Sequence, residues 1–189
     1  MNRRAEQMDE TRRRIVEAAV EVHSTLGPAA ASISAIAQRA GVTRLTLYRH
    51  FPDDTALYAA CTAHWLAAQT PPDPGAWAAI ADPAERLRTG LADLYRFYRD
   101  GRQMLTNTYR DKAALPEVHR AELEERDRQI ADLLAAPFEG TPERRRLLRA
   151  LIGHAAAFGT WRSLCVDQQV SQAQAVDAMV ALIVHHADQ

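Results

Sequence analysis

The chain has 189 residues, 47% of them hydrophobic, which is enough to bury a core and too apolar for a disordered tail. Lysine and arginine number 23 against 24 aspartate and glutamate, so the net charge of −1 excludes a chain-wide basic field, and any nucleic-acid-binding face must be local. The two cysteines, Cys61 and Cys165, stand far apart, and no signal segment or apolar run of spanning length occurs, so the expectation is a reduced cytoplasm and no membrane partner.

Alternating β-branched runs are absent, while alanine, leucine, arginine and glutamate recur at helical spacing, so the fold class is all-α with about nine helices. The first helix is predicted over 9–26, with Ile15, Ala18, Ala19, Val22 and Leu26 as a core-facing stripe, and Gly27-Pro28 ends it. Two short helices follow over 34–39 and 44–50, separated by Ala40-Gly41-Val42-Thr43, and a fourth runs over 54–69. The run Thr70-Pro71-Pro72-Asp73-Pro74-Gly75 reads as non-helical, because three prolines remove amide donors and fix the backbone. Further helices are predicted over 83–99, 102–114, 116–136, 142–166 and 171–187, with Pro83, Pro116 and Pro142 in first turns, where proline does no harm.

The informative stretch is Ile33 to Pro52, ISAIAQRAGVTRLTLYRHFP. Ala37 sits where two helices touch, and Gly41 occupies the turn, where a positive φ costs glycine least. Ile36, Ala40, Val42 and Leu47 complete a small shared core, and Thr43 caps the second helix. This is a helix-turn-helix, whose second helix enters the major groove with its first residues toward the base edges. Arg44, Leu45, Thr46 and Arg49 are the candidate base readers: arginine grips guanine with two hydrogen bonds, and threonine and leucine methyls touch the thymine methyl. Tyr48, His50, Ser32, Ser34 and Thr43 are the candidate phosphate contacts. Tyr48 and Phe51 have an alternative role in packing the fourth helix.

From Ile15 to Leu57 the chain resembles the tetracycline-repressor (TetR) family of regulators, through Ile-Ala at 36 and 37, Ala-Gly-Val at 40 to 42, and Leu-Tyr-Arg-His-Phe at 47 to 51. The resemblance implies a helix-turn-helix DNA-binding domain over 1–53 and a ligand-binding and dimerisation domain over 54–189, with the fourth helix as the link. It also implies double-stranded operator DNA, a second copy of the chain and a small-molecule effector as partners, and no cofactor. The chain departs from the family pattern in two places. Asp53, Asp54 and Thr55 stand where the family usually has a phosphate-holding lysine, and a carboxylate there repels the DNA backbone. Leu45 replaces a small residue. Arg3, Arg4, Arg12, Arg13 and Arg14 are placed to compensate from the N-terminal arm, and for Arg12 to Arg14 an ordinary solvated face is the alternative.

The C-terminal helices carry two further expectations. Over 142–166, the stripe Leu148, Ile152, Ala155 and Gly159 is assigned to the partner subunit, and Leu147, Leu151, His154, Phe158, Trp161 and Cys165 to the protomer's interior. In the last helix, Ala175, Ala178, Leu182 and His186 join the dimer face, opposite Val176, Met179, Val180 and Ile183, so that two helices per subunit make a four-helix bundle. An aromatic effector pocket is expected from Tyr95 and Tyr98 on one helix and Met104, Leu105, Thr108 and Tyr109 on the next. His154, Phe158, Trp161 and Arg162 complete it, against simple core packing as the alternative.

No Gly-rich phosphate loop, HExxH, CxxC or nucleophile elbow occurs, and the neighbouring His185 and His186 diverge on a helix, so neither an enzyme nor a metal site is expected. The function expected is a repressor that binds a palindromic operator as a homodimer and is released by a small apolar or aromatic ligand. The alternative is a DNA-binding dimer whose C-terminal domain answers to a protein or to no ligand.

Overall fold

In the computed structural model, residues 2–187 are described, with side chains from residue 6 onward. The candidate phosphate contacts Arg3 and Arg4 therefore have side chains outside the described residues. The fold is all-helical, with no strand among the described residues. The helices are α1 (Asn2–Thr25), α2 (Ile33–Ala40), α3 (Arg44–His50), α4 (Asp54–Ala67), α5 (Pro74–Ala78) and α6 (Pro83–Asp100). They continue as α7 (Arg102–Arg110), α8 (Glu117–Ala135), α9 (Pro142–Ala156), α10 (Phe158–Trp161) and α11 (Gln172–Ala187). A 3-10 turn at Lys112–Ala114 precedes α8, and a π-helical segment at Arg162–Asp167 follows α10.

Two departures from the expected layout have local causes. The proline-rich run does contain helix: Pro74 occupies the first turn of α5, where no amide is required, and Asp73 caps it by accepting from Ala76 N. The helix expected over 142–166 breaks at Ala157, whose extended conformation (φ −68°, ψ 140°) ends α9 and starts α10 on a new axis. No glycine or proline marks that break.

The chain forms two compact units. One holds the chain up to Thr70 together with Gly101–Glu122, and the other holds Pro71–Asp100 and the chain from Leu123 on. In the first, Ile15, Ala18, Ala19 and Val22 of α1 are buried with Ile36, Ala37 and Ala40 of α2, Leu47 of α3 and Leu57 and Cys61 of α4. Leu26, expected in that stripe, lies beyond the end of α1 and is exposed, because the chain has already turned toward Gly27. In the second, α6 buries Leu87, Leu91, Leu94, Tyr95, Phe97 and Tyr98. Gly90 lets α6 approach α8, since a Cβ there would run into the Leu134 side chain. Arg88–Asp177 and Arg149–Asp132 pair across the surface of this unit, contributing about 0–1 kcal/mol each.

Candidate nucleic-acid interface

Short polar side chains set the helix-turn-helix. Ser32 caps α2 by accepting from Ala35 N at 3.1 Å, and Thr43 caps α3 by accepting from Thr46 N at 3.1 Å. Gly41, at φ +66°, closes α2 in the left-handed conformation, which sends Val42 N to Ala37 O at 3.0 Å. With Ala37 and Leu47 buried, α3 is held from beneath by apolar contact and from its start by a cap, leaving its other faces outward.

Leu45 is 74% exposed, a large cost for an apolar side chain, and Arg44 and Arg49 are exposed beside it. Tyr48 is exposed, so its alternative role in packing α4 falls to Phe51, which is buried. Thr46 is half-buried, with its hydroxyl 3.0 Å from that of Thr43. Ser34 is exposed one residue into α2, and His50 is half-buried at the end of α3. A capping hydroxyl that accepts from an amide keeps its own hydrogen to donate, so Ser32 and Thr43 can cap and meet a phosphate together.

Two basic or acidic features turn out to have structural partners. Arg12 donates to the His50 carbonyl at 2.9 Å and its guanidinium lies 4.2 Å from the centre of the Phe51 ring, so it closes the end of α3. Arg13 is engaged by Glu10 and Glu17, whereas Arg14 is exposed. Asp53 replaces the family's basic residue with a cap, accepting from Ala56 N at 2.7 Å at the start of α4.

Within the same unit, α4 and the α7–α8 corner meet α1 through polar contacts that the sequence did not reveal. Asn107 donates to the Ser24 carbonyl at 2.6 Å. The buried His23 places Nδ1 3.3 Å from Cys61 Sγ. Burial lowers the His23 pKa to about 4 and raises the Cys61 thiol to about 12, so both are neutral near pH 7. The Tyr58 ring lies between the rings of His23 and His119, 5.3 and 4.9 Å away.

The residues expected to line one effector pocket are distributed over both units. Met104 and Leu105 are buried in the first, where Thr108 is half-buried and hydrogen-bonded to Tyr58, and Tyr109 is half-buried. In the second, Tyr95 and Tyr98 are buried and donate to the carbonyls of Ala155 and Ala156 at 2.9 and 2.8 Å. The break at Ala157 deprives the last turn of α9 of amide partners, and these hydroxyls replace them. The Tyr98 ring packs edge-on to Phe158 at 5.4 Å, and Phe158 lies 5.3 Å from Trp161. The Trp161 indole nitrogen is buried without a hydrogen-bond partner. His154 and Arg162, expected beside these rings, are exposed.

The two stripes of α9 are interchanged relative to expectation. Leu148, Ile152 and Ala155 are buried inside the protomer, while Leu147 and Leu151 are 46% and 36% exposed. The physical reason is the break at Ala157: Leu147, Leu151 and His154 do not continue into the buried Phe158 and Trp161 as one helical face. Gly159 is exposed as expected, and Cys165 is half-buried. On α11, Val176, Val180 and Ile183 face inward, Ala178 is exposed and Leu182 is 64% exposed. Ala175, expected outward, is fully buried, and His186 is half-buried. Leu151, His154, Leu182 and His186 line a groove of about 620 Å³ in this unit.

Among the described residues no helix is long and apolar enough to cross a membrane, and no three His, Cys, Asp or Glu side chains gather as metal ligands would. A capped helix-turn-helix whose second helix turns arginines outward is the geometry that inserts a helix into a DNA major groove. Residues 15–61 match the family model of bacterial regulatory proteins, tetR family, a stretch that contains the whole helix-turn-helix. A TetR-like transcriptional regulator from Rhodococcus sp. RHA1 superposes with a TM-score of 0.65 at 23% identity, covering 93% of this chain and 94% of that one. A tetR-family transcriptional regulator from Streptomyces coelicolor gives 0.62 at 20% identity, covering 94% of this chain and 80% of that one. NalD, the secondary repressor of the MexAB-OprM multidrug efflux pump in Pseudomonas aeruginosa, gives 0.59 at 19% identity, covering 96% and 97%. At these identities the likeness speaks for the fold. No curated protein matches the chain significantly.

Proposed function

We propose that the protein is a cytoplasmic repressor that binds a palindromic operator as a homodimer and leaves it when a small apolar or aromatic molecule binds its C-terminal region. The observation that carries the reading is the outward face of α3, where Arg44, Leu45, Tyr48 and Arg49 are exposed while Leu47 beneath them is buried. Arg44 and Leu45 read bases, with Thr46 and Arg49 beside them, and Ser32, Ser34, Thr43, Tyr48 and His50 position the phosphates. The functional domains are 1–53 for DNA and 54–189 for dimerisation and effector.

The dimer contact is built on Leu147 and Leu151 of α9 and on Ala178 and Leu182 of α11, with Gly159 beside them. Their exposed apolar surface supports this, and two heads about 34 Å apart then meet successive major grooves. The orphaned Trp161 N–H supports an effector that brings a hydrogen-bond acceptor to the aromatic cluster, because an unpaired buried donor costs about 1–3 kcal/mol. Release follows if the effector prefers a form in which the heads are wrongly spaced, with α4 as the lever. A second reading, a DNA-binding dimer that answers to a protein or to no ligand, draws on Tyr95 and Tyr98, whose hydroxyls are already engaged within the protomer.

Selection of bound sequences from a random DNA pool tests the reading. The expected product is an inverted repeat with half-sites one helical turn apart. Recovery of no enriched sequence, or of single unrepeated sites, overturns it.

A further inference from the structure

Asp53 is occupied in capping α4, but its neighbour Asp54 enters no ion pair among the described residues and stands exposed on the rim of a cavity of about 160 Å³ in the first unit. The walls come from three stretches: Ala31 and Ile36 before and on α2, Leu57 and Tyr58 on α4, and Ala114 and Pro116 at the corner before α8. No lysine or arginine lines it.

His23 also lines this cavity and is more than nine-tenths buried. Its Nδ1 lies 3.3 Å from Cys61 Sγ. Because burial holds the ring neutral near pH 7, it does not repel a cation. The neighbouring Tyr58 adds an aromatic side chain to the lining. The volume is about that of a site that holds benzene, so it has room for one six-membered ring, and the carboxylate of Asp54 at the rim disfavours an anion.

We propose that this cavity binds a small arylalkyl ammonium ion, with the ring against Ile36, Leu57 and Tyr58 and the charge held at Asp54. The occupant bridges α2 and α4 to the corner at Ala114 and Pro116 and so stabilises their packing against one another. The proposal is independent of whether the protein represses, and of the effector proposed for the aromatic cluster.

The test is a titration of the full-length protein with benzylammonium, benzyl alcohol and benzoate, following the methyl signals of Ala31, Ile36 and Ala114 by NMR. Benzylammonium is expected to saturate with a dissociation constant on the order of millimolar, benzyl alcohol to bind about threefold to fivefold more weakly, and benzoate not to bind. Asp54→Asn, at an exposed first-turn position, should weaken benzylammonium about threefold to fivefold while the melting temperature is retained. Ala114→Leu, also at an exposed position, should fill the corner and abolish binding. Absence of a saturable shift at these methyls, equal binding of all three compounds, or unchanged affinity in Asp54→Asn overturns the proposal.

Discussion

Both compact units start helices with local side-chain caps, and the second, where Asp73 and Thr141 do this, also has a helix end closed from a distance. In the first, Ser32, Thr43 and Asp53 each cap the helix that follows by accepting an amide hydrogen three residues ahead. In the second, the last carbonyls of α9 are satisfied by the hydroxyls of Tyr95 and Tyr98, far away in sequence on α6. Local capping leaves the side chains of α3 free to project, so the reading face is available for a partner. Capping at a distance commits two aromatic side chains to the interior, so residues that look like a ligand cage are holding a broken helix together.

The largest effect should come from the exposed apolar face of the second unit. Replacing both Leu151 and Leu182 by aspartate is expected to leave a folded monomer and to lower operator affinity at least about 100-fold, since each half-site then binds alone. Sedimentation and operator titration measure the two effects, and a dimer that persists would move the interface elsewhere.

Acid should next pick out the first unit through His23. Its pKa is about 4 in the fold against an ordinary 6.5, so the unfolded chain takes up the proton first. The stability it supports is complete above about pH 6.5 and is lost as pH falls toward 4, by up to about 3 kcal/mol. Urea unfolding at pH 7 and pH 4.5 measures this, and His23→Asn should flatten the difference; an equal slope in both proteins would remove His23 from the account.

Arg44→Ala is expected to cost about 1–3 kcal/mol on operator and far less on random DNA, while Arg49→Ala weakens both. Competition binding separates them, and equal losses for Arg44→Ala would assign that side chain to phosphate. Tyr98→Phe should lower unfolding free energy by about 1–2 kcal/mol, by leaving the Ala156 carbonyl unpaired, without changing base preference. Smallest of these is Thr43→Ala, about 1 kcal/mol from the lost cap, read as a modest drop in melting temperature. If Tyr98→Phe altered base preference, or Thr43→Ala cost more stability than Tyr98→Phe, the contrast between the units would fail.

What the sequence determined by itself is the head and the class. Gly41, Ala37, Thr43 and Leu47 lie within about a dozen residues, and their chemistry permits few arrangements: a left-handed turn, a close helix contact, a cap and one buried leucine. The positions of α6 to α8 and α11 were legible from periodicity and proline placement for the same local reason.

Only the tertiary structure decided which faces of α9 and α11 turn inward, what Arg12 and Asp53 do, and that His23 meets Cys61. Helical periodicity shows that two stripes exist and does not rank them when both are apolar. The choice rests on the break at Ala157, and that break is stabilised by tyrosines about 60 residues away. A conformation held by such distant partners leaves no mark in the residues that adopt it.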